Sequence, residues 1–286
     1  QAGIWTAAVI LLISKFITTL TGLSISAIST NTKVKGGGAY FLISRSLGPE
    51  FGASIGLALF MAQALSVPFY VLAFTEAVTT TQPHLAGDFM LIGLVMTTFL
   101  FALNYVGSSW AIRAQYFILA TLVVSIITYM SGGVLAFDME LFRQNWSPGY
   151  TETDENFWTI FAVFFPAVTG IMAGVNMSGD LKEPERSIPR GTLLAILVGG
   201  IVYMAQAFMM GGTTPRHMLM DRPFESLLDI ALFDWEWAVI AGVYAATLSS
   251  AIGSMMGAPR ILQALARDRI FPVLSPFAQG TAQGDE

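Results

Sequence analysis

The chain has 286 residues, a formal net charge of −5, 54% hydrophobic residues, 12% charged residues and no cysteine. Soluble domains carry about 25% charged residues, so this composition, with a mean hydropathy of +0.64, excludes an ordinary soluble domain. The lack of cysteine excludes disulfides, thiolate metal sites and a cysteine nucleophile; His84 and His217 stand too far apart to suggest a metal centre, and positive charges confined to short loops give no field for nucleic acid.

Crossing a hydrocarbon core takes about 20 mostly apolar residues. Seven such spans are predicted in chain order: 3–28, 52–80, 88–107, 113–136, 157–178, 190–212 and 236–265, the last broken and amphipathic toward its end. Lys15 stands inside the first, in ILLISKFITTL, one or two turns from an end, where a lysine is expected to snorkel or face water. The segment 39–50, AYFLISRSLGPE, is too short to span and reads as an interfacial or gating helix.

Alternate connections differ in charge. One set holds Lys33, Lys35, Arg45, Arg113, Lys182, Arg186, Arg190, Arg260, Arg267 and Arg269, and the other only Arg143, Arg216 and Arg222. By the positive-inside rule the loop 29–51 is expected to be cytoplasmic, and the chain is expected to be a multi-pass protein of the plasma (cell inner) membrane. The outer loop 137–156 is acidic, with Asp138, Glu140, Glu152, Asp154 and Glu155, and Trp158, Trp235 and Trp237 sit at outer boundaries as interfacial anchors. Asn145-Trp146-Ser147 is a glycosylation sequon on that loop, followed by Pro148. The chain starts at Gln1 and ends in polar residues, so it is expected to be an internal piece of a larger protein.

The fifth span contains FFPAVTGIMAGVNMSGDLKEPERSIPRG, Phe164 to Gly191. Pro166 removes a backbone donor and frees a carbonyl one turn earlier, while Gly170 and Gly174 ease departure from helical dihedrals. Such groups are tolerated at membrane depth only inside protein or beside a water-filled cavity. Two readings fit: a proline kink with glycine packing, or an ion site with carbonyls for a cation and N–H groups for an anion. Ala246-Thr247-Leu248-Ser249-Ser250 is a second oxygen-rich, small-residue cluster, which read alone is helix packing or back-bonding. Two such clusters in separate spans favour a transporter of small ions. No nucleophile–base pair stands among the polar residues at depth, so no enzyme is expected.

ISTNTKVKGGGAYFLISRSLGPEFGASIGL (Ile28 to Leu57), FFPAVTGIMAGVNMSGDL (Phe164 to Leu181) and ATLSSAIGSMMGAPRILQALARD (Ala246 to Asp268) together resemble the cation-chloride cotransporter family. They resemble its first cytoplasmic loop, its sixth span and its eighth. The resemblance implies an all-α membrane protein, part of a 5+5 inverted-repeat, LeuT-like fold with a discontinuous sixth helix. The chain would be one incomplete transmembrane domain holding the second to eighth spans, lacking the first span, the ninth to twelfth and the cytoplasmic domain, and transporting nothing by itself. When full length it is expected to be a homodimer in the bilayer.

Binding residues carry over where motifs match. Tyr70, Pro166 and Thr169 resemble potassium ligands, and the amides of Gly170, Ile171 and Met172 resemble a chloride cradle. Ala246, Ser249 and Ser250 resemble a sodium site, and Glu76 an acidic outer-gate residue. Tyr70 favours a potassium carrier, since sodium-chloride cotransporters typically have histidine there. Ser249-Ser250 favours sodium coupling, since potassium-chloride cotransporters tend to have Gly-Ala. The expected function is electroneutral symport of chloride with potassium and sodium by alternating access, without a cofactor. The alternatives are sodium-independent potassium-chloride symport and an amino acid or polyamine permease of the same superfamily, the latter motivated by EPERSIPRG. Asp180, Lys182, Glu183, Glu185, Arg186 and Arg190 form a solvated face that could pair with the Arg45 loop.

Overall fold

A computed structural model describes residues 2–32, 37–106, 108–150, 155–168 and 170–279. Among the described residues every regular element is helical. The long helices are α1 (Gly3–Asn31), α3 (Pro49–Thr81), α4 (Phe89–Val106), α5 (Ser108–Leu135), α9 (Pro184–Thr213) and α12 (Glu236–Arg267). Short helices stand between them: α2 (Gly38–Leu47), α6 (Met139–Gln144), α7 (Phe157–Phe164), α8 (Ala173–Asn176), α10 (Arg216–Asp221) and α11 (Pro223–Leu228). Seven helical segments are long and apolar enough to cross a membrane, with α7 and α8 lying in one of them, Phe157–Asn176.

Local sequence explains most boundaries. Gly48, at φ +95°, and Pro49 at the first turn start α3, and Asn156 caps α7 by accepting from the Trp158 and Thr159 N–H groups. Hydroxyls within the spans bond back to the preceding turn, as Thr75 does to the Val71 carbonyl at 2.8 Å and Thr128 to Val124 at 2.9 Å. Back-bonding keeps a polar side chain paired without water.

α12 departs from the expectation of a broken last span: it runs continuously through Pro259. Proline deprives the carbonyl four residues earlier of its donor. Here that carbonyl belongs to Met255, and the Asn104 amide donates to it at 3.4 Å. The tertiary partner replaces the missing ladder bond.

The chain divides into two compact units. The first comprises residues 1–19, 117–169 and 195–245. Its apolar core gathers Tyr129, Ile230 and Val239. Asn145 organises its loops, since its buried amide donates to the Gly211 and Thr214 carbonyls at 2.8 and 2.9 Å, while its own carbonyl accepts from the Ile4 N–H at 2.9 Å. The sequon asparagine is thus consumed in a buried network, tying the start of α1 to the end of α9.

The second unit comprises residues 20–116, 170–194 and 246–286. Tyr40, Ala53, Ile261 and Leu265 form one core, and Ile25, Ala39, Leu42, Val175 and Ile188 another. α2 lies against α3, with Gly56 making room for the Tyr40 ring. The third glycine of the GGG run, Gly38, adopts φ +59° and sits against the Asn176 side chain of α8. Both positive φ and close approach exclude a larger residue there.

Gly38→Ala should therefore destabilise the full-length protein by about 1–3 kcal/mol, as overpacking at a positive-φ position does. Gly174→Ala, where an added Cβ meets nothing within 4 Å, should leave thermal unfolding in detergent nearly unchanged. Equal melting temperatures for the two variants would contradict this account.

Candidate ion-binding site

The interruption of the fifth span is present, and its cause is local. α7 stops at Phe164, a 3-10 turn covers Phe165–Val168, and helix resumes only at Ala173. Gly170 takes φ +96°, a conformation that turns the chain and that glycine adopts without steric penalty. Pro166 lies exposed in the 3-10 turn. Gly170 is exposed, and Ile171 and Met172 are half-buried, Met172 packing against the Ile25 cluster. The Gly170 carbonyl accepts from the Ala173 N–H at 3.0 Å. Among the described residues, the N–H groups of Gly170, Ile171 and Met172 donate to no carbonyl or side chain. Thr169 lies outside the described residues.

Ala246, Ser249 and Ser250 share one turn of α12, and each of their relevant oxygens is engaged. Ser250 Oγ donates to the Ala246 carbonyl at 3.0 Å. Ser249 Oγ donates to Gln115 Oε1, and Gln115 Nε2 donates to the Ser249 carbonyl at 3.2 Å. A donating hydroxyl keeps its lone pairs, so this ring of neutral oxygens remains chemically able to face a cation. Gln115 was not singled out from the sequence, although an amide near the start of the apolar segment Ile112–Leu135 is a usable signal.

Tyr70 is half-buried on α3 with its ring edge-on to Phe69 at 5.7 Å. Glu76 is exposed on the same helix two turns on, and its carbonyl accepts from Thr79 Oγ1. Tyr70, Glu76, the Gly170–Met172 turn and the Ala246–Ser250 turn belong to the second unit, and Pro166 to the first.

A further polar cluster joins α2 to the end of α12. Tyr40, buried to 1% exposure, donates its hydroxyl to Asp268 Oδ2 at 2.6 Å, and Ser44 Oγ donates to the same oxygen at 3.3 Å. Arg45 pairs with Asp268 Oδ1 at 2.9 Å. This corrects the expectation for Arg45: its partner is Asp268, whereas Arg186 pairs with Glu183 within its own segment. Burial first, and then donation to Asp268, push the Tyr40 hydroxyl from 10.0 to about 12.

The chain matches the amino acid permease family model over residues 1–284. It is 36% identical over 338 aligned residues to solute carrier family 12 member 2 of Mus musculus, covering 100% of this chain and 28% of that protein. It is 35% identical to member 1 of Homo sapiens and 34% to member 3 of Pseudopleuronectes americanus, over all of this chain and 31% and 33% of those proteins. The chain thus spans a third or less of the length of these relatives.

The Asp268 cluster yields a stability prediction. Asp268→Ala leaves the buried Tyr40 hydroxyl without its charged acceptor, a loss of about 1.5–3 kcal/mol, whereas Arg45→Ala removes a half-exposed pair at about 1 kcal/mol or less. Because the folded pKa of Tyr40 is raised, its contribution is full below pH 10 and is lost as pH rises through about 12. Alkaline unfolding of full-length protein should show this loss, and Tyr40→Phe should abolish it.

Proposed function

The chain belongs to the amino acid permease family, and from that membership we propose that the protein containing it is a secondary active symporter carrying chloride with potassium and sodium by alternating access. The protein is a transporter rather than an enzyme, and its spans make it a multi-pass membrane protein. In this reading it works in the plasma membrane with the loop 29–51 cytoplasmic, and assembles as a homodimer when full length.

The observation that carries the reading is the Gly170–Met172 turn. Three successive N–H groups that find no acceptor among the described residues are costly in hydrocarbon, and an anion such as chloride is a fitting acceptor for them. Potassium is assigned to Tyr70, Pro166 and Thr169 through the resemblance of their motifs, and Glu76 to the outer gate in the same way. Sodium is assigned to Ala246, Ser249 and Ser250. The ring of oxygens that Gln115 closes around Ser249 supports this assignment, because neutral oxygens can replace part of an ion's hydration shell without burying a protein carboxylate. A chloride close to the cation then keeps the loaded carrier neutral, and coupling requires no change in protein charge.

Rubidium uptake by the full-length protein in liposomes tests this. Uptake should require chloride and sodium, and the double variant Ser249→Ala/Ser250→Ala should lose sodium stimulation, with uptake falling about tenfold, a loss of roughly 1.4 kcal/mol in sodium binding. Sodium-independent uptake that survives the double variant would instead establish potassium-chloride symport. Amino acid uptake that persists without chloride would overturn ion symport altogether.

A further inference from the structure

Lys15 is a charge that the proposed transport cycle does not use. It is the thirteenth of the 29 residues of α1, so about 18 Å of helix, at 1.5 Å per residue, separates it from Gly3. That corrects the expectation of a lysine within a turn or two of an end: Lys15 stands near the middle of α1, as it does in the span 3–28. The side chain is half-buried. Its Nζ lies 4.8 Å from the centroid of the Tyr203 ring on α9, and its stem runs over Gly199 and Gly200 of the same helix. Among the described residues no carboxylate forms an ion pair with it. The electron-rich ring face supplies the electrostatic attraction that a carboxylate would otherwise give.

Tyr203 connects this charge to the interrupted span. Its hydroxyl donates to the Ala167 carbonyl at 2.8 Å, within the 3-10 turn that follows α7 and next to Pro166. Lys15, Tyr203 and Ala167 all lie in the first unit. The arrangement is an ammonium, a ring that holds it, and a hydroxyl anchored on one of the carbonyls of the break. A positive charge on that ammonium, linked to the turn through the Tyr203 ring, disfavours a second cation there, and more strongly where water is scarce.

We propose that Lys15 is a specificity-determining residue for transport, a built-in cation that weakens cation binding at the Pro166–Ala167 turn of its own unit. It acts as a charge and does not travel with the ions. The inference rests on the chloride symport reading above.

The test compares chloride and rubidium KM for the full-length protein in liposomes, as wild type, Lys15→Met, Lys15→Gln and Lys15→Arg. Removing the charge should lower the rubidium KM about tenfold without lowering the chloride KM, and Lys15→Arg should stay near wild type. A fall in the rubidium KM alone separates a charge effect from a packing defect, which alters turnover or shifts both together. If Lys15→Met does not reach the membrane, Lys15→Gln gives the same readout with a polar side chain of similar length. Unchanged constants, or constants that move in the same direction, would overturn the role of Lys15. A wild type without chloride-dependent rubidium flux would overturn the symport reading itself, before any variant is compared.

Discussion

An unpaired peptide N–H or C=O in hydrocarbon costs several kcal/mol, and the described structure is arranged around that cost. Long uninterrupted helices pair their own backbone, and threonines and serines within them bond back to the preceding turn. Where proline opens the ladder inside α12, the amide of Asn104 on α4 supplies the donor. The Gly170–Met172 turn stands apart from this pattern, since its N–H groups find no acceptor among the described residues.

Polar residues do the corresponding work where helices end. In the first unit Asn145 satisfies carbonyls at the end of α9 and receives the N–H that opens α1. In the second, Asp268 accepts from Tyr40 and Ser44 and pairs with Arg45, fastening α2 to the end of α12. Each is one residue with several partners from distant sequence. Removing one orphans a buried group, which costs more than the net worth of the bond.

Charge is used sparingly within the spans. The oxygens around Ser249 and Ser250 are neutral, and Gln115 orders them without adding a charge. Lys15 is the contrasting case, an ammonium held by an aromatic face.

Much of this was legible in the linear sequence. Apolar runs of about 20 residues announce the membrane helices, because hydrocarbon thickness is a one-dimensional constraint. Pro166 and Gly170 announce the interruption, because φ restriction and the missing N–H are properties of single residues. The Gly-rich string through Gly38 and the cluster at Ser249-Ser250 carry the family resemblance. What the sequence could not reveal are partnerships between residues far apart in the chain: Gln115 with Ser249, Asn104 with the Met255 carbonyl, Asp268 with Tyr40 and Arg45, and Lys15 on the ring of Tyr203. Only the tertiary structure decides these, because a hydrogen bond or a cation–π contact depends on distances of a few ångströms that spacing along the chain does not encode.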